Sequence, residues 1–369
     1  MEIKRIGIDA RLYGPLGKGL GRYTQEITDN IIKLDTQNEY VVFLCKENFL
    51  EFKCDGERVK KVLADARWYS LAEQIIMPYL IFKNKIDLMH FPHFNIPLFC
   101  PTKFVVTIHD LILTKFPSTR ATTLGPLMYK IKNLGYRLII SSAIRKAQKV
   151  IAVSEFTKND IVSYFKADPE KIIVTYEGVA DFDRDGKEEN SGIKYPYLLY
   201  VGNAYPHKNL EGLVKVFGKM NKKHADLKLV LVGKEDYFYK RVKDSAKDND
   251  AVIFMGYVPD SGLKELYKKA VAYVFPSLYE GFGLPPLEAM AFGCPVVSSD
   301  KASMPEILGD AALFFNPEDG KDFENKLDAI LENENLRKEL IQKGYAQIRK
   351  YSWNDCVKKT LEVYRESIK

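Results

Sequence analysis

Glu280-Gly-Phe-Gly-Leu-Pro-Pro-Leu-Glu288 sets two carboxylates eight positions apart around a glycine turn and a double proline. The apolar run before it, Val271-Ala-Tyr-Val-Phe275, reads as a buried strand. The run after it, Leu287-Glu-Ala-Met-Ala-Phe-Gly293, reads as a helix stopped by glycine. Pro285 and Pro286 suit a first helical turn, where an N–H would have no intrahelical partner. Strand, turn and helix start together aim backbone N–H groups, and the positive end of a helix dipole, at an anion above the strand.

Outward from this segment, strand-like and helix-like stretches alternate along the chain, which predicts an α/β fold with parallel sheets. Strands are expected at Arg5–Asp9, Tyr40–Leu44, Leu88–Phe91, Phe104–Ile108, Val150–Val153 and Ile172–Thr175. A second series follows at Tyr197–Val201, Leu227–Val232, Ala251–Phe254, Val271–Phe275 and Pro295–Ser298. Between the two series, Asp181–Lys194 is polar, glycine-containing and highly charged. The expected organisation is one Rossmann-like domain over 1–183, a linker over 184–194 and a second Rossmann-like domain over 195–352. A last helix, about 353–369, is free to fold back on the first domain. Doubly wound sheets bind ligands at the carboxyl ends of their strands, so the natural site is a cleft between the two domains.

Length agrees, since 369 residues exceed one typical core. The five cysteines are odd in number and lack C-x-x-C spacing, which argues against a disulfide framework or a zinc site and for a reducing compartment. The N-terminus runs straight into a strand without a signal-peptide pattern. No apolar run approaches the roughly 18 residues a spanning helix needs. The net charge of +6 is uneven. Residues 1–180 carry 26 Lys+Arg against 19 Asp+Glu, and residues 111–150 carry eight basic side chains and no acid. Apolar residues are interleaved in that stretch. One reading is a face for anionic lipid or a phosphate-bearing acceptor; the other is a solvated helix face over ordinary core. A sequence pI near 8.7 alone, with no recognisable motif, does not support nucleic-acid binding.

Three further clusters bear on chemistry. Gly14-Pro-Leu-Gly-Lys-Gly-Leu-Gly21, followed by Arg22, lies between the first strand and a helix expected at Gly21–Leu34. Gly17, Gly19 and Gly21 allow a ligand close to the backbone. The P-loop pattern fails because Lys18 precedes Gly19, and the dinucleotide pattern fails because Arg22 stands where its third glycine would fall. Val201-Gly-Asn-Ala-Tyr-Pro-His-Lys-Asn209 puts Lys208 just before a helix start at Leu210, which suits a diphosphate. His109 and Asp110 end a strand, where a side chain meets substrate. His90 and His93 have no third ligand in the sequence nearby and read as cleft or core residues rather than metal ligands. The D-x-D patterns of Asp181–Asp185 fall in the expected linker and read as solvated acids.

Taken with Ser154-Glu-Phe156 and Ser303-Met-Pro-Glu306, these motifs run in order through most of the chain, which resembles the retaining GT-B glycosyltransferases of family GT4. The Gly19-Leu-Gly-Arg-Tyr23 stretch is similar to the subgroup containing mannosyltransferases of polysaccharide and O-antigen assembly. The resemblance implies sugar transfer from a nucleoside-diphosphate donor, GDP-mannose as first choice, with retention of configuration and neither metal nor cofactor. The acceptor would be a glycan or a lipid-linked sugar. It implies that Glu288 binds the donor ribose, that Glu280 contacts the donor sugar, and that Gly281, Phe282, Gly283 and Leu284 present the turn and helix start to sugar and phosphate. Lys208 would neutralise the diphosphate beside Gly202 and Asn203, and His109 would sit beside the sugar. The Gly17, Gly19, Gly21 and Arg22 loop would close on phosphate and acceptor. Glu280, His109 and Lys208 form the expected catalytic set. One departure stands out: many members carry arginine after the Val-Gly pair, and here the position is Asn203. A sugar-nucleotide epimerase and a non-catalytic donor-binding subunit remain alternatives. The expected location is cytoplasmic, with peripheral contact on the inner face of the membrane if the basic segment meets lipid.

Overall fold

The computed structural model describes residues 2–54, 56–116, 126–179 and 193–368. They form two compact units. One comprises the chain up to Gly178 together with the stretch from Ser352 onward; the other runs from Val179 to Tyr351. The division falls at Gly178 and Val179, ahead of the expected 184–194 linker. That linker, through residue 192, and the D-x-D patterns lie outside the described residues.

In the first unit β1 (Arg5–Asp9) leads through α1 (Lys18–Leu34) to β2 (Glu39–Leu44) and β3 (Val59–Leu63), then α2 (Glu73–Lys83), β4 (Leu88–Phe91) and β5 (Lys103–Ile108). A short α3 (Ile112–Lys115) and long α4 (Pro126–Lys146) precede β6 (Lys149–Ala152), α5 (Glu155–Phe165) and β7 (Ile172–Val174). The strands form one parallel sheet in the order β3-β2-β1-β4-β5-β6-β7. Strand periodicity divides the core into two layers. Tyr40, Val42 and Leu44 of β2 face one layer with Tyr23, Ile27 and Ile31 of α1. Val41 and Phe43 face the other with Met77 of α2 and Ile140 of α4.

The second unit repeats the scheme: β8 (Tyr197–Val201), α6 (Leu210–Met220), β9 (Lys228–Val232), α7 (Tyr237–Ala246), β10 (Val252–Gly256), α8 (Asp260–Lys269) and β11 (Ala272–Phe275). Then come α9 (Leu284–Ala291), β12 (Val296–Ser299), α10 (Met304–Leu308), β13 (Ala312–Phe315), α11 (Gly320–Glu332) and α12 (Glu334–Ile348). The parallel order is β10-β9-β8-β11-β12-β13. The final helix, α13 (Trp353–Ile368), belongs to the first unit, where Val357, Leu361 and Tyr364 join the α1 layer. Each sheet reverses its winding once, between β1 and β4 and between β8 and β11. Ligand crevices in doubly wound folds form at such reversals.

Candidate functional site

The reversal in the second sheet brings together the two motifs richest in chemistry. The carboxyl end of β8 releases Gly202–Asn209, and that of β11 releases Pro276–Gly283. Lys208 Nζ lies 2.6 Å from Oε1 of Glu280, with both side chains largely buried. The ammonium also stands 5.6 Å from the Phe275 ring centroid. A backbone bond from Leu278 N to the His207 carbonyl, 2.7 Å, fastens the two loops. Burial, and then the charge of Lys208, push the His207 imidazole down to about 4, so it stays neutral beside the ammonium. The expectation gave Lys208 and Glu280 separate partners; the structure pairs them.

Several contacts hold the Glu280–Glu288 segment in shape. Ser303 Oγ donates to the carbonyls of Glu280 at 3.0 Å and Phe282 at 3.3 Å. The Phe282 ring is buried edge-on against Tyr351, so that residue contributes its backbone to the turn and its side chain to the core. Gly283 caps α9 with φ +93, and a Cβ there would come within 2.6 Å of Met304 Cε, so only glycine fits. No side chain caps α9, and Leu284, Pro285 and Pro286 form its first turn. The helix starts at Leu284, so the two prolines occupy its first turn as the sequence reading expects. Glu288 lies one turn in, buried, with the Tyr267 hydroxyl donating to Oε2 at 3.4 Å. Gly202 and Asn203 are tied in through their carbonyls, which accept from Tyr239 at 2.8 Å and Tyr200 at 2.7 Å.

In the first unit His109 follows β5, but it is not an open general base. Its Nδ1 lies 3.0 Å from Glu177 Oε1 and its Nε2 2.9 Å from the Pro92 carbonyl. Both partners are acceptor groups, so a ring protonated on both nitrogens can donate to each. Burial opposes that charge, but the Glu177 bond and charge and the Pro92 carbonyl overcome it and raise the pKa above its ordinary value. Tyr23 packs edge-on at 4.5 Å between centroids, and Thr157 Oγ1 donates to the His109 carbonyl at 3.1 Å. His90 is core: its nitrogens meet Tyr364 and Thr107 hydroxyls at 2.6 and 3.0 Å.

The glycine stretch differs from expectation. Gly19 and Gly21 belong to α1 itself, which begins at Lys18 after Gly17 rather than at Gly21. A Cβ on Gly21 would approach the Gly14 carbonyl oxygen to 2.0 Å. Gly21 is thus required by the close return of the helix over the preceding loop. No side chain caps α1, and Arg22 opens its second turn. At the β1–β4 reversal sits a feature the sequence did not suggest. Buried Arg11 bridges Asp9 at 2.6 Å and Glu73 at 2.5 Å, and Glu73 also receives the Tyr69 N–H at 2.9 Å. Among the described residues, His224, Asp328 and Glu332 are close enough to share a metal, but Lys223 pairs with both carboxylates, which makes the group an ion-pair network.

Residues 17–181 match the family model Glycosyltransferase Family 4, and residues 181–347 match Glycosyl transferases group 1. The chain is 32% identical to O-antigen chain mannosyltransferase RfbU of Salmonella typhimurium, over 71% of this chain and 70% of that one. It is 29% identical to O-antigen chain mannosyltransferase B of Escherichia coli, over 75% and 74%. Sucrose-phosphate synthase from Thermosynechococcus elongatus superposes with a TM-score of 0.77 over 98% of both chains at 18% identity, a likeness of fold.

Proposed function

The chain belongs to the GT4 family of GT-B glycosyltransferases, and from that premise we propose that it moves mannose from GDP-mannose to a glycan or lipid-linked acceptor in cell-surface polysaccharide assembly. Configuration is retained and no metal is required. The observation that carries the reading is the Lys208–Glu280 pair at the β8–β11 reversal, 2.6 Å apart. The relatives' names support the sugar and the pathway class. They do not favour the epimerase alternative.

As the donor's anomeric C–O bond to the diphosphate breaks, negative charge grows on the phosphate and positive charge on the sugar. Lys208 and the uncapped first turn of α9 stabilise the first. Glu280 holds sugar hydroxyls and helps balance the second. Glu288 holds the ribose hydroxyls. The acceptor oxygen attacks the face the phosphate leaves, and its proton passes to a phosphate oxygen. The glycosidic C–O bond replaces the C–O–P bond with no protein nucleophile. His109, donating from both nitrogens, is suited to stabilise charge rather than take a proton. Asn203 leaves Lys208 and backbone donors to carry the diphosphate.

A thermal-shift panel of nucleoside diphosphates and their sugars tests the donor, because a ligand that binds only the folded state raises its melting temperature. A shift for GDP and GDP-mannose is expected. Shifts confined to other nucleotides would displace this donor, and NMR showing an inverted anomeric centre would displace retention.

A further inference from the structure

We propose that Tyr200, Tyr239 and Tyr273 are positioning residues for the leaving group: their hydroxyls fix the backbone after β8 so that the Asn203 and Ala204 N–H groups cradle the diphosphate. The inference rests on the reading that the donor is a nucleoside-diphosphate sugar. It names the donors that stand with Lys208 where Asn203 brings no cation.

The observation is three buried hydroxyls committed to three consecutive carbonyls. Tyr273 of β11 donates to the Val201 carbonyl at 3.2 Å, Tyr239 of α7 to that of Gly202 at 2.8 Å, and Tyr200 of β8 to that of Asn203 at 2.7 Å. Tyr239 also reaches the Val232 carbonyl at 3.0 Å. All three rings are buried. They come from three different elements, so side chains already fixed by packing hold the loop from several directions. Gly233, just after β9, completes the fit. A Cβ there would stand 2.1 Å from the Gly202 oxygen and 2.3 Å from the Tyr239 hydroxyl. Carbonyls at the end of a strand need partners, but water can supply them at an open crevice. Phenol hydroxyls brought from the core also set their direction.

Direction has a chemical consequence. In a planar trans peptide the carbonyl of one residue and the N–H of the next point opposite ways. The Gly202 and Asn203 carbonyls point at hydroxyls of buried tyrosines, so the N–H groups of Asn203 and Ala204 point away from them, at the carboxyl end of β8. The Gly202 N–H is already bonded, to the Val232 carbonyl at 2.9 Å. Among the described residues, no group accepts from the N–H of Asn203 or of Ala204. Ala204 is only 7% exposed, and an unpaired amide in such surroundings calls for an acceptor. The Asn203 side chain turns along its own loop, its Oδ1 accepting from Tyr205 N at 3.4 Å. Two successive N–H groups turned outward make an anion-binding concavity. The loop that carries them leads to Lys208, so a cation serves the same anion. Donors held in place beforehand need no reorganisation as charge grows on the departing phosphate.

The test is NMR of the full chain, labelled with nitrogen-15 and deuterium and titrated with inorganic pyrophosphate and with GDP. The amide protons of Asn203 and Ala204 should move downfield with either ligand, as N–H groups do on gaining a charge-assisted bond. Tyr200→Phe and Tyr239→Phe keep the rings and remove the hydroxyls. Each should weaken GDP binding roughly tenfold and leave guanosine, which lacks the phosphates, bound as by wild type. Tyr40→Phe is the control. It removes a buried hydroxyl of the first unit, one that donates to Asp35 at 2.6 Å, and should leave GDP affinity unchanged. Asn203 and Ala204 amides that stay put with both ligands in wild type would overturn the proposal. So would equal losses of GDP and guanosine affinity in the variants, which would make the tyrosines props of the fold alone. If pyrophosphate moves both amides but GDP does not bind, the cradle stands and the donor assignment falls. If GDP binds and moves only other amides, the cradle falls and the donor assignment stands.

Discussion

Lys208 Nζ and Glu280 Oε1 stand 2.6 Å apart, so the cation assigned to the diphosphate and the carboxylate assigned to the sugar neutralise one another. Lys208→Ala removes the charge proposed to stabilise the leaving group and should lower kcat/KM by roughly 10²–10³. It also strands a largely buried carboxylate, and breaking such a pair costs up to about 3–5 kcal/mol of stability. The double variant K208M/E280Q separates the effects. Its melting temperature should recover toward wild type while its activity stays lost. Near-wild-type turnover in K208A, assayed by nucleoside-diphosphate release, would remove Lys208 from the reaction.

Glu288→Ala should weaken donor binding more than it slows the bound complex. A hydrogen bond to a charged group contributes about 1.5–3 kcal/mol, which corresponds to roughly a ten- to hundredfold loss in affinity. Calorimetry with a nucleoside diphosphate and its 2′-deoxy analogue reads this directly. Wild type should prefer the ribose form, and E288A should not. Tyr267→Phe keeps the ring and removes the long 3.4 Å bond to Oε2, so it tests what that bond contributes to the affinity. Unchanged affinity in E288A would end the ribose assignment.

Much of this site was legible because its geometry is local. Strand, glycine turn and proline-started helix are all encoded within Val271–Gly293, and β8, Gly202 and Lys208 sit within one short stretch. The strands missed are β3 and β13, each an edge strand of its own sheet. In β3, Val59-Lys-Lys-Val-Leu63 carries two lysines and lacks the apolar run of a central strand. Non-local partners were not legible either. Glu177 meets His109 across 68 residues of chain, and Glu73 meets Arg11 across 62. No periodicity reports such pairings. Ser303 lay inside a recognised motif, but its role of pinning the Glu280 and Phe282 carbonyls appears only in three dimensions.

EDTA should leave turnover unchanged if, as proposed, Lys208 and the α9 start do the charge stabilisation that a divalent ion would otherwise supply. The assay is donor turnover after chelation, with and without added magnesium or manganese. A loss that metal restores would show that a bound cation is needed, and would direct attention to Asp181, Asp183 and Asp185.

His109 offers a pH test of its role. Its two nitrogens face only acceptors, Glu177 and the Pro92 carbonyl, so the folded protein holds the ring protonated above its ordinary value near 6.5. Asp110 adds to that pull, while His90 and His93 nearby are held neutral by burial, each pushed down to about 3. A group whose pKa is raised on folding contributes its stability fully below the unfolded value and loses it as pH rises through the folded one. Glu177→Gln keeps an acceptor oxygen and removes the charge, so the His109 pKa should fall. The melting-temperature gap between wild type and E177Q should therefore be widest below about pH 6.5 and should close as pH rises further. If the imidazolium supports transfer, the alkaline limb of kcat should move to lower pH in E177Q, and a merely structural loss would lower kcat equally at every pH. Nitrogen-15 NMR of labelled histidine gives the direct check. At neutral pH both His109 nitrogens should carry protons in wild type and only one in E177Q, and a wild-type ring with a bare nitrogen would refute the fixed charge.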